Sequence, residues 1–124
     1  MIFNSIEEIA TFIVKDGKGI LAADESNPTC GKRFDSIGVE STEENRRDYR
    51  EMLFRSKGMK GNIGGVILFD ETLRQSAKDG SLLRDLILNQ GALPGIKVDN
   101  WLQPIDDCTC DSFNIVIVGL VESI

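Results

Sequence analysis

The chain has 124 residues, which predicts a single domain, and its 41% hydrophobic and 27% charged residues are ordinary for a globular protein. The net charge of -6 argues against non-specific nucleic-acid binding, which needs a cationic surface, but it allows a local phosphate pocket. There is no histidine, so the commonest general base and the commonest zinc ligand are both missing.

The cysteines and the apolar runs bear on location and on metals. The odd set of Cys30, Cys108 and Cys110 fits no disulfide framework, and no signal peptide is visible, so a cytoplasmic location is predicted. The pair Cys108 and Cys110 supplies only two thiolates, too few for a tetrahedral metal site, so no metal is predicted. The longest apolar run, 113–121, is too short to span a membrane.

The first helix and the first strand are marked by spacing and by composition. Residues 5–14 place apolar side chains at helical intervals, and Ser5 with Glu8 predicts a capping box at the start of that helix. The apolar run 20–23 has no alternation and predicts a strand buried on both faces. Asn27 and Pro28 then predict a turn.

Two more helix and strand pairs follow. Residues 41–54 predict a helix that begins with a capping box of Ser41 and Glu44 and packs through one face. That predicted face consists of three residues: Tyr49, Met52 and Leu53. Residues 56–62 read as a loop. The remaining predicted elements are a strand at 66–69, a helix at 81–90 and a strand at 95–99.

Helices alternating with short apolar strands predict an α/β fold with a parallel sheet. In such folds the chemistry lies at the carboxyl ends of the strands. Here those ends carry polar side chains: Asp24, Glu25 and Ser26; Asp70, Glu71 and Thr72; Lys97 and Asp99. Beyond residue 99 the pattern changes. We therefore predict a unit at 1–99 and a divergent tail at 100–124, with a possible strand at 113–121.

Two charged residues are candidates for catalysis. Asp24 follows a buried strand, where a carboxylate can serve in proton transfer, although an aspartate there can also simply cap a turn. Strand alternation sends Lys97 and Asp99 to one face. A lysine inside a barrel is costly unless it is paired or binds an anion, whereas on an edge strand it only blocks unwanted pairing.

Two further points limit the chemistry. Arg33 carries a planar guanidinium that fits phosphate oxygens, although an isolated arginine is often just a solvated surface cation. Without histidine, no nucleophilic triad can be built around a serine or a cysteine. A Schiff-base lysine needs a desolvated setting, and Lys97 is the only lysine near one.

Five motifs in order resemble the N-terminal portion of the class I (Schiff-base) fructose-bisphosphate aldolases. They cover about residues 9–99, and they read as follows: Gly19-Ile-Leu-Ala-Ala-Asp-Glu-Ser26, Gly31-Lys-Arg-Phe-Asp-Ser-Ile-Gly38, Ser41-Thr-Glu-Glu-Asn-Arg-Arg47, Gly65-Val-Ile-Leu-Phe-Asp-Glu-Thr-Leu73 and Pro94-Gly-Ile-Lys-Val-Asp99. The resemblance implies part of a (β/α)8 TIM barrel, with about three parallel strands. It also implies a glycolytic lyase that cleaves fructose 1,6-bisphosphate into dihydroxyacetone phosphate and glyceraldehyde 3-phosphate through a lysine Schiff base, without a cofactor or a metal.

The resemblance also implies roles for individual residues. Asp24 matches the family's first-strand aspartate, which assists proton transfer, and Lys97 matches a lysine that contacts substrate and lines the site. Ser26 and Arg33 match positions around a substrate phosphate. Thr29 stands where many members have serine, and it keeps the hydroxyl. Full-length members are expected to be homo-oligomers.

The chain departs from the family after Asp99, where Asn100 and Trp101 replace lysine and glycine. The strand that carries the Schiff-base lysine is missing from the resemblance. We therefore expect the 124 residues to be inactive alone. A sugar-phosphate binding module and a module that associates with another barrel remain the alternatives.

Overall fold

A computed structural model describes residues 2–97, 103–104 and 112–113. Helices and strands alternate through the main body, in the order α1 (Ile6–Val14), a 3-10 turn (Lys15–Gly17), β1 (Gly19–Ala23), α2 (Asn27–Asp35), α3 (Glu43–Phe54), β2 (Ile63–Leu68), α4 (Asp70–Leu73), α5 (Leu83–Asn89) and β3 (Leu93–Ile96). Two short strands follow, β4 (Gln103–Pro104) and β5 (Ser112–Phe113).

The main sheet is parallel, with the order β1-β2-β3. Its register places Ala23 beside Leu68 and Leu68 beside Ile96, so the carboxyl ends of the three strands lie level. This confirms the α/β prediction of three parallel strands with intervening helices. The short strands β4 and β5 pair antiparallel with each other. Of the predicted strand at 113–121, only Phe113 lies within the described residues.

The core lies on one face of the sheet. Side chains of β1 and β2, such as Val66 and Leu68, pack there with Phe54 of α3 and with the apolar side of α5. The prediction that the first strand is buried on both faces is wrong, because Ile20 is 43% exposed on β1. Alternation along β1 places Ala22 and Asp24 on the same side as Ile20.

Helix α1 contacts the sheet at β2. Ser5 accepts a hydrogen bond from the Glu8 amide at 3.2 Å, which confirms the predicted cap, while the Glu8 carboxylate accepts from the Asn4 amide at 2.8 Å. At the other end, Ile13 is buried and its main chain lies directly over Gly64. Only a residue without Cβ allows this close approach.

The structure corrects the sequence prediction at helices α2 and α3. Residues 27–35 form α2, with Pro28 in its first turn, where the missing amide costs nothing. Helix α3 is capped by Thr42, which accepts from the Asn45 amide at 3.1 Å, rather than by Ser41. Its buried side carries Arg46, Arg50 and Phe54, whereas Met52 is 61% exposed. The predicted face of α3 is therefore wrong at Met52.

Candidate functional site

Two charged residues meet where β1 and β3 end. Asp24 follows β1 directly, and Lys97 follows β3, with its amide donating to the Leu68 carbonyl of β2 at 2.9 Å. The Lys97 ammonium lies 3.6 Å from the Asp24 carboxylate. The two side chains therefore reach across the end of β2 on the same face. This distance is longer than a charge-assisted hydrogen bond, so a ligand oxygen can enter without breaking a strong contact.

Helix α2 begins immediately beyond this pair. Ser26 is its N-cap residue, and the Ser26 carbonyl accepts from the Cys30 amide at 2.9 Å. The hydroxyls of Ser26 and Thr29 lie 3.1 Å apart. Two hydroxyls at the positive end of a nine-residue helix form a group of donors that suits an anion such as phosphate.

Arg33 lies near the same turn, on the last part of α2. Its side chain is 56% exposed and makes an ion pair with Glu25. The hydrogen bond that Arg33 donates to Glu25, and then the charge of that carboxylate, raise the pKa of the Arg33 guanidinium. Arg33 is therefore a surface cation, but one held beside the turn that carries Asp24. Among the predicted site residues the structure thus shows two contacts, Asp24 with Lys97 and Ser26 with Thr29, while Arg33 reaches the turn between them through Glu25.

The sequence prediction missed the group that holds this turn from inside. Arg50 of α3 is 0% exposed, and one of its amino groups donates to the Glu25 carbonyl at 2.8 Å and to the Glu25 carboxylate at 3.2 Å. The Tyr49 hydroxyl donates to the same carboxylate at 3.4 Å. The i, i+4 spacing of Arg46, Arg50 and Phe54 was the available signal, since it places all three on one side of α3.

A second ion pair joins α3 to the end of β2. Arg46 donates to both oxygens of the Glu71 carboxylate, at 2.9 and 2.7 Å, and both side chains are largely buried. The hydrogen bonding to Glu71 raises the pKa of the Arg46 guanidinium. Asp70 instead pairs with Arg74 at 3.1 Å on the exposed surface. Of the predicted strand-end acids, Glu71 thus has a bracing role, and Asp99 lies outside the described residues.

Comparison with known proteins gives one consistent match. The family model described as "Glycolytic: Fructose-bisphosphate aldolase class-I" matches residues 5–120, which extends past the predicted boundary at residue 99. "Fructose-bisphosphate aldolase 1, chloroplastic" from Chlamydomonas reinhardtii is 51% identical over 108 residues, which are 87% of this chain and 29% of that protein. "Fructose-bisphosphate aldolase" from Drosophila melanogaster is 52% identical over 103 residues, which are 82% of this chain and 28% of the Drosophila protein.

The fold agrees with the sequence match. A crystal structure of fructose-bisphosphate aldolase from Plasmodium falciparum, in complex with TRAP and a small-molecule inhibitor, superposes with a TM-score of 0.72 at 50% identity. It covers 82% of this chain, and this chain covers 30% of it. The chain thus spans less than a third of each of these three relatives. Within the described part, no helix is long and apolar enough to cross a membrane.

Proposed function

The chain belongs to the class I fructose-bisphosphate aldolase family, and we propose that it contributes the first part of a sugar-bisphosphate site to the cleavage of fructose 1,6-bisphosphate. The observation that carries the proposal is the meeting of Asp24 and Lys97 at the carboxyl ends of β1 and β3. In parallel barrels, residues at this edge reach the substrate, whereas residues at the opposite edge serve stability.

Each part of the site has its own role in the proposal. One phosphate of the sugar lies at the start of α2. There the hydroxyls of Ser26 and Thr29 donate hydrogen bonds, and Arg33 supplies a positive charge. To bind phosphate, Arg33 must leave or share the Glu25 carboxylate. That exchange is inexpensive because Glu25 keeps its contact with the buried Arg50.

The charged pair acts on the sugar chain itself. Lys97 donates to hydroxyl or carbonyl oxygens of the substrate, and Asp24 accepts or returns a proton there. Carbon–carbon cleavage also requires an electrophilic imine between a lysine and the ketone, which takes up the electron pair that the broken bond releases. Such a lysine must be desolvated before it can attack.

We propose that the 124 residues bind the sugar bisphosphate but do not cleave it. All seven lysines lie in the described part of the chain, and none is buried. Lys97 is 35% exposed and faces a carboxylate, so its amine has neither the desolvation nor the neutral surroundings of a Schiff-base nucleophile. A cytoplasmic location and homo-oligomers of the full-length protein complete the proposal; the names of relatives include both cytosolic and chloroplastic aldolases.

Calorimetric titration with fructose 1,6-bisphosphate tests the site. Lys97→Met and Arg33→Met should each weaken binding about tenfold, the usual loss for one charged hydrogen bond to an anion. Lys78→Met is the matched control, because Lys78 pairs with Asp48 on the exposed surface. If Lys97→Met and Lys78→Met bind equally well, Lys97 is not part of the site.

Association with a second barrel is the competing function, favoured by one observation. In the described sheet β1 and β3 are the edge strands, and Ile20 and Ala22 are exposed on its uncovered face. Open edges of this kind pair with other chains. Sedimentation at several protein concentrations separates the two functions. A defined oligomer that is unaffected by the sugar bisphosphate favours association.

A further inference from the structure

A buried guanidinium holds the turn that follows β1. Arg50 comes from α3, 25 residues along the chain from Glu25, and is fully buried. One of its amino groups bonds the Glu25 main-chain carbonyl at 2.8 Å and the Glu25 carboxylate at 3.2 Å. The guanidinium also lies 5.6 Å from the centre of the Tyr49 ring. The same amino group of Arg50 therefore holds both the backbone and the side chain of Glu25.

Stability alone does not account for this arginine. A charge with no exposure loses its hydration, and only complete pairing offsets that loss. Yet the Nε and Nη1 atoms of Arg50 have no hydrogen-bond partner among the described residues. Replacing both partners of a buried ion pair with apolar side chains of similar volume is often neutral or stabilising, so the burial of such a pair is weak evidence for a role in stability. In the unliganded chain, moreover, Glu25 is also bonded by Arg33 and Tyr49, so its neutralisation there does not rest on Arg50 alone.

The position of the contact suggests what Arg50 does. The Glu25 carbonyl lies one residue after Asp24 and one residue before Ser26, the N-cap of α2. Any movement of that carbonyl changes the direction of the Asp24 carboxylate. The same movement shifts the start of α2, where the two hydroxyls lie. A displacement near 1 Å in a site of this kind lowers its function many-fold.

We propose that Arg50 is a positioning residue, which sets the turn at Glu25 so that Asp24 and the start of α2 face one ligand. The inference rests on the proposed function of this edge of the sheet. Lysine is a poor replacement for Arg50, because its side chain is one bond shorter and its ammonium falls short of the point from which the Arg50 amino group makes both bonds. Arg50 itself is fully buried behind the turn and acts only through Glu25.

The test uses the full chain with Arg50→Met and Arg50→Lys, and Arg55→Met as the control on the same helix. Arg55 is exposed and pairs with Glu51 and Asp79, away from the turn. We expect hydrogen exchange at the Cys30 amide, which donates to the Ser26 carbonyl in the first turn of α2, to become at least about tenfold faster in both Arg50 variants, as expected when a charge-assisted bond that holds this turn is lost. Exchange in α5 should change less than about twofold, since Glu25 keeps Arg33 and Tyr49 as partners when Arg50 is replaced.

Binding of fructose 1,6-bisphosphate gives the second readout. Both Arg50 variants should bind about tenfold more weakly, whereas Arg55→Met should bind like the unaltered chain. Equal acceleration of exchange in the turn and in α5 would mean that Arg50 only stabilises the fold, and unchanged affinity would equally overturn the inference. If the unaltered chain does not bind the sugar, the proposed function fails. The exchange pattern alone then decides on Arg50: local acceleration supports it, and uniform acceleration refutes it.

Discussion

Replacing Gly64 with alanine should loosen the docking of α1 on the sheet. A Cβ at residue 64 would lie 2.0 Å from the Ile13 carbonyl oxygen, 2.6 Å from its carbon and 2.9 Å from its Cα. All three atoms belong to the main chain, so no change of rotamer relieves the contact. To restore even a 3.0 Å separation, below which real Cβ atoms are essentially never found, α1 must move by 1.0 Å (3.0 − 2.0).

The magnitude follows from what that movement disturbs. Overpacking of a tight contact costs about 1–3 kcal/mol, and partial exposure of the buried Ile13 side chain adds to that. We therefore expect Gly64→Ala to lower the free energy of unfolding by about 2–4 kcal/mol. Alanine also loses less chain entropy on folding than glycine, a gain of about 0.5–1 kcal/mol. The same gain applies to an alanine at the neighbouring Gly65, so it cancels when the two variants are compared.

Gly65→Ala is the matched control. Its Cβ would lie 3.3 Å from Cγ2 of the Ile13 side chain and at an ordinary contact distance of 3.8 Å from the Leu93 carbonyl oxygen, so a small adjustment is enough. Urea unfolding followed by circular dichroism should place the Gly64→Ala midpoint well below that of Gly65→Ala, with the same slope. Adding Ile13→Ala should not rescue Gly64→Ala, because the clashing atoms remain. Equal midpoints for the two alanine variants, or rescue by Ile13→Ala, would mean that the close contact with the Ile13 main chain is not what excludes a Cβ at residue 64.

Two further predictions concern ion pairs. Arg46→Met should lower the free energy of unfolding by about 2–3 kcal/mol, because it leaves the largely buried Glu71 unpaired, and adding Glu71→Gln should recover part of the loss in urea unfolding. The Ser81 amide, and then the Arg55 guanidinium, lower the pKa of Asp79 from 3.8 to about 2. Because this folded-state pKa is depressed, the stability from Asp79 is complete above pH 3.8 and disappears as the pH falls through 2. A carboxyl NMR titration should show that Arg55→Met keeps the Asp79 pKa below 3.8; a midpoint at or above it contradicts this.

The strands and the central pair could be predicted because they obey simple rules. Apolar runs without alternation mark β1 and β2, and parallel strands bring their carboxyl ends to one edge. Asp24 and Lys97 could therefore be placed at one edge of the sheet from their positions near the carboxyl ends of two predicted strands. In the structure the two charged groups lie 3.6 Å apart at that edge, and their roles in a site stay a prediction.

The sequence prediction missed the start of α2 and the buried side of α3, because the residues there do not follow the usual turn and burial preferences. Asn27 and Pro28 are typical of a turn, yet proline is also favoured in the first turn of a helix, and here α2 starts. On α3 the apolar pattern pointed to Met52, whereas the buried side carries Arg46 and Arg50. Arginines are rarely buried, so periodicity assigns them to the surface unless their carboxylate partners are known. Those partners, Glu71 and Glu25, are distant in sequence and become neighbours only in the fold.

Covalent capture of dihydroxyacetone phosphate tests the account most directly. The chain is incubated with this ketone and with borohydride, which reduces any imine to a stable amine, and its mass is then measured. We expect an unmodified chain, although fructose 1,6-bisphosphate binds, because no lysine of the chain is buried enough to serve as the nucleophile. A stoichiometric adduct, above all on Lys97, would show that these residues form the imine themselves and would contradict binding without cleavage.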